Sequence, residues 1–162
     1  MAFFRRIFDQ VSREFPDVNT DRVYVDAASL YLIQRPHTFD VLVTENMFGD
    51  ILSDLAAGLI GGMGMAPSAD IGDHFGVFQP SHGSAPDIVG KGIANPIATI
   101  LSVAMMLEWL DHPEAHRGAR LIRESVEKTM ADPSNRTVDL RGTLSCQQMG
   151  DRVAETIGKA GV

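Results

Sequence analysis

The sequence predicts an α/β protein, and two observations support that class. Two short runs rich in β-branched residues, 22–26 and 40–44, are each followed by a segment that favours helix. Longer apolar or amphipathic segments at 96–110 and 113–130 have the spacing of helices. Strands that alternate with helices along a chain are typical of α/β architectures.

A helix and two strand-to-helix junctions are predicted in the first part of the chain. Residues 3–15 are expected to form an amphipathic helix, because apolar side chains recur there at helical spacing with charged residues between them. Residues 22–26 are predicted to form a strand, which places Asp26 where the chain turns into the next helix. Residues 40–44 are predicted to form a buried strand, and the helix after it is expected to start near Asp50.

The second part of the chain is predicted to hold loops followed by three helices. Residues 58–92 are rich in Gly and Pro, which indicates loops and short strands. Helices are expected at 96–110 and 113–130. Ser145, with Gln148 three residues later, is typical of a capping box that opens a last helix.

The composition excludes several classes of partner. An apolar content of 44% is enough to build a packed core. A net charge of -7 argues against nucleic acid and anionic membranes, because acidic surfaces repel both. One cysteine, Cys146, cannot form an internal disulfide, and no leader or long apolar span is visible, so we expect the cytoplasm as the compartment.

Asp50 and Asp54 are candidate metal ligands. They stand four residues apart on a predicted helix, so both carboxylates project from one face. A hard cation such as Mg²⁺ or Mn²⁺ prefers such oxygen ligands, and Asp26 could supply a third. The alternative is that acidic residues in a first helical turn simply interact with the positive end of the helix dipole.

A glycine-rich segment, HGSAPD at residues 82–87, is a candidate nucleotide-binding loop. Small residues leave backbone N–H groups accessible to phosphate or ribose oxygens before the helix that starts near Pro96. Asp87 could accept hydrogen bonds from a ribose diol. No G-x-G-x-x-G follows a strand, so a Rossmann site is not indicated, and a purely structural turn remains the alternative.

Two long segments resemble one enzyme family. TENMFGDILSDLAAGLIGGMGMAPSADIG, residues 44–72, and HGSAPDIVGKGIANP, residues 82–96, are similar to the metal and cofactor motifs of the β-decarboxylating 2-hydroxy-acid dehydrogenases. That group includes isocitrate, isopropylmalate, homoisocitrate and tartrate/malate dehydrogenases. The similarity runs from about Phe3 to the C-terminus and includes RTVDLRG at residues 136–142.

The resemblance implies a role for each candidate residue. Asp50 and Asp54 would hold Mg²⁺ or Mn²⁺, and Asp26 would be donated by a partner subunit for metal binding and proton transfer. Asp87 would favour NAD over NADP, because a carboxylate repels a 2′-phosphate. The adenosine half of the cofactor would contact His82, Gly83, Ser84, Ala85, Asp87, Ile88 and Asn95.

The resemblance also implies that the chain is the C-terminal half of an isopropylmalate dehydrogenase-like two-lobe fold. Residues 1–60 would belong to the dimer-forming, metal-site lobe and 61–162 to the cofactor lobe, with incomplete sheets flanked by helices. The arginines, lysine and tyrosine that bind and turn over substrate in the family have no match here. Gln79 stands where relatives often have glutamate, and Arg141 where many have glycine.

Two functional hypotheses follow from the resemblance. In the first, the chain takes part in the NAD-dependent oxidation, with decarboxylation, of a 2-hydroxy dicarboxylic acid of the isopropylmalate, tartrate or malate type. It would then be inactive alone, and would require a separate N-terminal half or assembly into a homo-oligomer such as a dimer. In the second, it is a non-catalytic module that folds, oligomerises and binds metal or nucleotide without turnover.

Overall fold

The computed structural model describes residues 1–160 and shows a mixed α/β chain that is mostly helical. The regular elements follow in chain order: α1 (Ala2–Val11), α2 (Val25–Gln34), α3 (Asn46–Leu59), β1 (Pro67–Ile71), β2 (Gly76–Pro80), α4 (Ile97–Trp109), α5 (Pro113–Ala131) and α6 (Cys146–Ala160). The predicted α/β class is confirmed. Within residues 1–160, no helix combines the length and apolar character that a bilayer-spanning segment needs.

Internal contacts divide the chain into two compact units, the first ending at Leu52 and the second beginning at Ser53. The boundary falls inside α3. The assignment of residues 1–60 and 61–162 to two family lobes stays a prediction, because contact density does not identify a lobe.

The first unit has a sparse core. Its buried hydrophobic residues, among those described, are Ala28, Leu32 and Leu52. The predicted amphipathic helix is present as α1, followed by a short 3-10 turn at Ser12–Glu14. Its apolar face is largely exposed, since Phe3 keeps 68% of its surface accessible.

The two strands predicted for this unit were wrong. The structure begins α2 at Val25, so Asp26 lies inside the helix rather than at the end of a strand. Residues 40–44 have no regular structure, and Val41 and Val43 are 80% and 63% exposed. A β-strand needs a neighbour to satisfy its backbone N–H and C=O groups, and neither segment pairs with another strand within residues 1–160.

The start of α3 also differs from the prediction. The helix begins at Asn46 rather than near Asp50, because the Glu45 carboxylate caps its N-terminus. Glu45 Oε2 accepts from the backbone N–H of Met47 and Oε1 from that of Phe48, both at 3.3 Å. Two otherwise unpaired helix N–H groups are thereby satisfied.

The second unit has a well-defined core between three helices. The predicted helices at 96–110, 113–130 and after Ser145 are confirmed as α4, α5 and α6. Their buried hydrophobic cluster is formed by Ile97, Val126, Met149 and Val153. The antiparallel hairpin β1–β2, with Pro67 opposite Pro80 and Ile71 opposite Gly76, packs against α4.

An ion pair links two of these helices at the surface. Arg123 on α5 donates from Nε and Nη2 to the two carboxylate oxygens of Glu108 on α4, at 2.7 and 2.8 Å. The Arg123 hydrogen bond lowers the pKa of Glu108 below its usual value. Each side chain remains close to half exposed, so the pair contributes little to stability.

Candidate functional site

Asp50 and Asp54 both lie on α3 and are exposed. The amide of Asn46 donates a hydrogen bond to Asp50 Oδ2 at 3.2 Å. Because α3 starts at Asn46, both aspartates lie beyond its first turn, where the helix dipole has little effect. The dipole therefore does not explain this pair.

Asp26 lies in the first turn of α2 and is exposed. Its Oδ1 accepts a hydrogen bond from the backbone N–H of Ala27 at 2.8 Å. In the single chain, this carboxylate therefore supports the start of its own helix. Across residues 1–160, no group of three or more acidic, histidine or cysteine side chains forms a metal-binding cluster.

The predicted nucleotide loop is exposed and has an irregular backbone. His82, Gly83, Ser84, Ala85 and Asp87 are exposed, whereas Ile88, the sixth residue predicted here, is half-buried. Ala85 adopts the left-handed conformation with φ 45°, and a 3-10 turn at Pro86–Ile88 follows it. The loop therefore presents polar side chains and backbone groups that a ligand could reach.

Hydrogen bonds hold both ends of this loop. Ser81 donates to the carbonyl of Ala66 from its backbone N–H and from its hydroxyl, each at 3.1 Å. The backbone N–H of Cys146, at the start of α6, donates to the carbonyl of Gly92 at 2.8 Å. Gly92 has φ 66°, a conformation that favours glycine. The exposed middle of the loop is thus held between two anchors.

Asn95 differs from the other predicted cofactor residues because its side chain points into the fold. It is 7% exposed. Its amide nitrogen donates to Asp139 Oδ2 at 3.1 Å and lies 3.4 Å from Met65 Sδ. Its Oδ1 accepts from the backbone N–H of Ile97 at 3.0 Å, which caps α4. The structure therefore brings Asn95 to the end of the loop without presenting its amide to a ligand.

Three residues that support the predicted site residues were not predicted from the sequence: Glu45, Asp139 and Gly64. Glu45 could have been found, since a negatively charged side chain near a helix N-terminus is favourable. Asp139 belongs to the RTVDLRG segment, and no local pattern links it to Asn95, which lies 44 residues earlier. Gly64 packs against both, and only the tertiary structure reveals that close approach.

Two concave surfaces within residues 1–160 are lined by residues other than Asp50 and Asp54. One of about 630 Å³ lies on the polar face of α1 and is lined mainly by arginines: Arg5, Arg6, Arg13 and Arg22. Arg22 is held there by an ion pair with Asp9. Another, of about 440 Å³, is mostly apolar and lies between the start of α4 and α6, beside Pro96 and Cys146.

Comparisons with known proteins agree on one family. The sequence model described as isocitrate/isopropylmalate dehydrogenase matches residues 1–153. A 3-isopropylmalate/3-methylmalate dehydrogenase of Methanocaldococcus jannaschii is 49% identical over 156 residues, which cover 96% of this chain and 46% of that protein. An isocitrate/homoisocitrate dehydrogenase of Thermus thermophilus is 49% identical over 148 residues, covering 91% of this chain and 43% of that protein.

The three-dimensional comparison gives the same result. The crystal structure of isocitrate dehydrogenase from Methylococcus capsulatus superposes with a TM-score of 0.86 at 45% identity, over 96% of this chain and 46% of that one. The chain spans about half the length of the curated relatives it matches. Sequence and fold together establish that this chain belongs to the isocitrate/isopropylmalate dehydrogenase family.

Proposed function

We propose that this chain contributes the metal-binding helix and the cofactor loop of an NAD-dependent dehydrogenase. The enzyme would oxidise and decarboxylate a 2-hydroxy dicarboxylic acid of the isopropylmalate, tartrate or malate type. The observation that supports this most is the exposed pair Asp50 and Asp54 on successive turns of α3, beyond the reach of the helix dipole. Family membership supports the reaction class.

The acidic pair fits a hard divalent cation. Asp50 and Asp54 offer carboxylate oxygens, the donors that Mg²⁺ and Mn²⁺ prefer, and two carboxylates leave room for substrate oxygens and water. When bound, such a cation would polarise the 2-hydroxyl and carboxylate oxygens of the substrate. Asp26 of the partner subunit would complete the ligand set and take the proton from that hydroxyl.

The loop that starts at His82 fits the adenosine half of NAD. Its residues His82, Gly83, Ser84, Ala85 and Asp87 are exposed, Ile88 is half-buried, and Asn95 ends the segment. Asp87, on the 3-10 turn, would accept hydrogen bonds from the ribose hydroxyls. The same carboxylate would repel the extra phosphate of NADP, which makes NAD the proposed cofactor.

The rest of the active site is proposed to come from a separate N-terminal half and from a second copy of the chain. The chain spans about half of its relatives, and the first unit has a sparse core and an exposed apolar helix face. We propose that an N-terminal half covers that face and supplies the substrate-binding arginines, the lysine and the tyrosine, with dimer formation completing the site. A cytoplasmic location is proposed with this function.

A reconstitution assay tests the proposal. The chain is mixed with the part of the Methanocaldococcus jannaschii relative that precedes the matched region, and NADH formation is followed with Mn²⁺ and isopropylmalate, D-malate or tartrate. We expect no turnover by the chain alone, NADH formation by the mixture, and less activity with NADP than with NAD.

Variants and binding measurements distinguish the other outcomes. Asp54→Asn should abolish the activity of the mixture, whereas Asp73→Asn, on the turn between β1 and β2, should not. An inactive mixture whose chain still binds Mn²⁺ and NAD by calorimetry would favour the non-catalytic module. Absence of both binding and turnover would contradict the proposed sites.

A further inference from the structure

A polar junction in the second unit joins segments that are distant in sequence. Asp139 accepts two hydrogen bonds, one at Oδ2 from the Asn95 amide at 3.1 Å and one at Oδ1 from the Thr137 hydroxyl. Asn95 is 7% exposed and Thr137 is fully buried. Because buried polar groups are costly to leave unpaired, Asp139 supplies acceptors that these two side chains need.

The junction lies where the candidate loop ends and α4 begins. Asn95 Oδ1 accepts from the backbone N–H of Ile97, so its side chain is held at both ends. Oδ2 of Asp139 therefore constrains the side chain that terminates the 82–95 segment, while Oδ1 is held by Thr137. A rotation of that amide would release the cap of α4 as well as the bond to Asp139.

A third segment packs tightly against the same two residues. Gly64 lies in the 3-10 turn Met63–Met65, which follows α3. A Cβ atom at position 64 would lie 2.8 Å from Asn95 Cβ and 2.8 Å from Asp139 Oδ2. The absence of a side chain at Gly64 is thus what allows the turn to pack against the junction.

We propose that Asp139 is a positioning residue for nucleotide binding by the 82–95 loop. It acts through the Asn95 amide and makes no contact with the ligand itself. The inference rests on the proposed function, because the nucleotide is the ligand assigned there to that loop. Without Asp139, the end of the loop loses a fixed hydrogen-bond acceptor. Nucleotide binding must then order the loop, and the entropy cost of that ordering lowers the affinity.

Three variants of the full chain test this role. Asp139→Leu removes both acceptors at similar size, and Asp139→Asn keeps one acceptor oxygen. Val126→Ala is the matched control, since Val126 is 5% exposed in the α4–α6 core and its truncation lowers stability without changing the junction. NAD affinity is measured by calorimetry, and amide hydrogen exchange of residues 82–95 is measured without ligand.

The expected result separates positioning from general stability. Asp139→Leu raises the Kd for NAD about tenfold and accelerates exchange in 82–95, as loss of one well-placed hydrogen bond predicts. Asp139→Asn has an intermediate effect on the Kd and on exchange. It replaces the leucine variant in the test if that variant fails to fold. Val126→Ala lowers the melting temperature and changes neither measurement. Equal effects of Asp139→Leu and Val126→Ala, at matched melting temperatures, would overturn the inference.

Failure of the proposed function is distinguishable from failure of this inference. If the unaltered chain does not bind NAD, the nucleotide assignment fails and hydrogen exchange alone decides the role of Asp139. Faster exchange restricted to residues 63–65 and 82–95 in Asp139→Leu would then support the positioning role. Unchanged exchange in these two segments would refute it.

Discussion

Ser145 and Gln148 exchange hydrogen bonds at the start of α6. The Gln148 backbone N–H donates to Ser145 Oγ at 3.2 Å, and the Ser145 backbone N–H donates to Gln148 Oε1 at 2.9 Å. This is the capping box that the sequence predicts, and it satisfies two N–H groups that the helix cannot pair itself. Cys146 follows directly and anchors the candidate loop through Gly92, so the cap supports that anchor.

Replacing Ser145 by alanine is therefore expected to lower the free energy of unfolding by about 1 kcal/mol, because one N–H group loses its acceptor. Urea unfolding followed by circular dichroism measures the change. Ser145→Asp serves as the control and should retain most of the stability, since aspartate is an equally good cap. If alanine and aspartate gave the same loss, the capping interaction would not contribute.

Gly64→Ala is expected to destabilise the second unit by about 1–3 kcal/mol, the usual cost of overpacking. The added Cβ would lie 2.8 Å from Asn95 Cβ, which is closer than carbon atoms pack. Gly150→Ala on α6 is the matched control, because nothing lies within 4 Å of a Cβ there. That variant should gain up to about 1 kcal/mol, because alanine favours helix. Thermal unfolding of both variants measures these changes. An unchanged melting temperature for Gly64→Ala would contradict the prediction.

Arg141→Gly is expected to stabilise the chain by about 1 kcal/mol. Arg141 has φ 62°, in the left-handed region where a Cβ atom is unfavourable. A glycine at this position removes that penalty, because it has no Cβ atom. Arg141→Ala keeps the Cβ and should show no such gain, so it separates the backbone effect from loss of the guanidinium. A gain of equal size in both variants, measured by urea unfolding, would exclude the backbone explanation.

The Glu108–Arg123 pair predicts a small pH dependence of stability. The hydrogen bond from Arg123 lowers the pKa of Glu108 in the folded state. Its stabilisation is therefore present above the unfolded-state pKa and lost as the pH falls through the folded-state pKa. Because the carboxylate side chain is 45% exposed, Glu108→Gln should cost no more than about 1 kcal/mol at pH 7.

Urea unfolding at several pH values between neutral and strongly acidic measures this difference. The gap between the unaltered chain and Glu108→Gln should close in acid. Glu124→Gln, at an exposed position on α5, serves as a control for removal of one negative charge. A gap that stayed constant with pH would argue against an effect of the ion pair.

Asp54→Asn is expected to weaken Mn²⁺ binding at least about tenfold, since removing a charged oxygen ligand lowers the attraction for a hard cation. Asp70→Asn, at an exposed position on β1, serves as the control and should leave the affinity unchanged. Calorimetry on the full chain measures both, independently of catalysis. Equal affinity of the two variants for Mn²⁺ would place any metal site elsewhere.

How well the sequence predicts each part of this fold depends on where the stabilising contacts lie. The helices α4, α5 and α6 were predicted because their patterns are local and they bury their apolar faces against one another. The start of α3 was misplaced because the Glu45 cap was not recognised. Strands at 22–26 and 40–44 were wrong because strand formation depends on a partner that a local pattern does not reveal.

The candidate site divides in the same way. Asp50 and Asp54 lie four positions apart, and the 82–88 loop is one short segment, so local spacing and composition were enough to predict them as site residues. The link between Asn95 and Asp139 spans 44 residues and depends on the packing of a glycine from a third segment. Such long-range contacts leave no periodic or local signal, so only the fold reveals them.

The exposed run Val41-Leu42-Val43 affects how readily copies of this chain associate in concentrated solution. Its strand-forming residues could stack edge to edge with identical copies. Asp40 and Glu45 lie on either side of the run, and pairing of copies would bring like charges together, so we expect these acidic residues to oppose aggregation. Salt screens such repulsion, and self-association is therefore expected to increase with ionic strength.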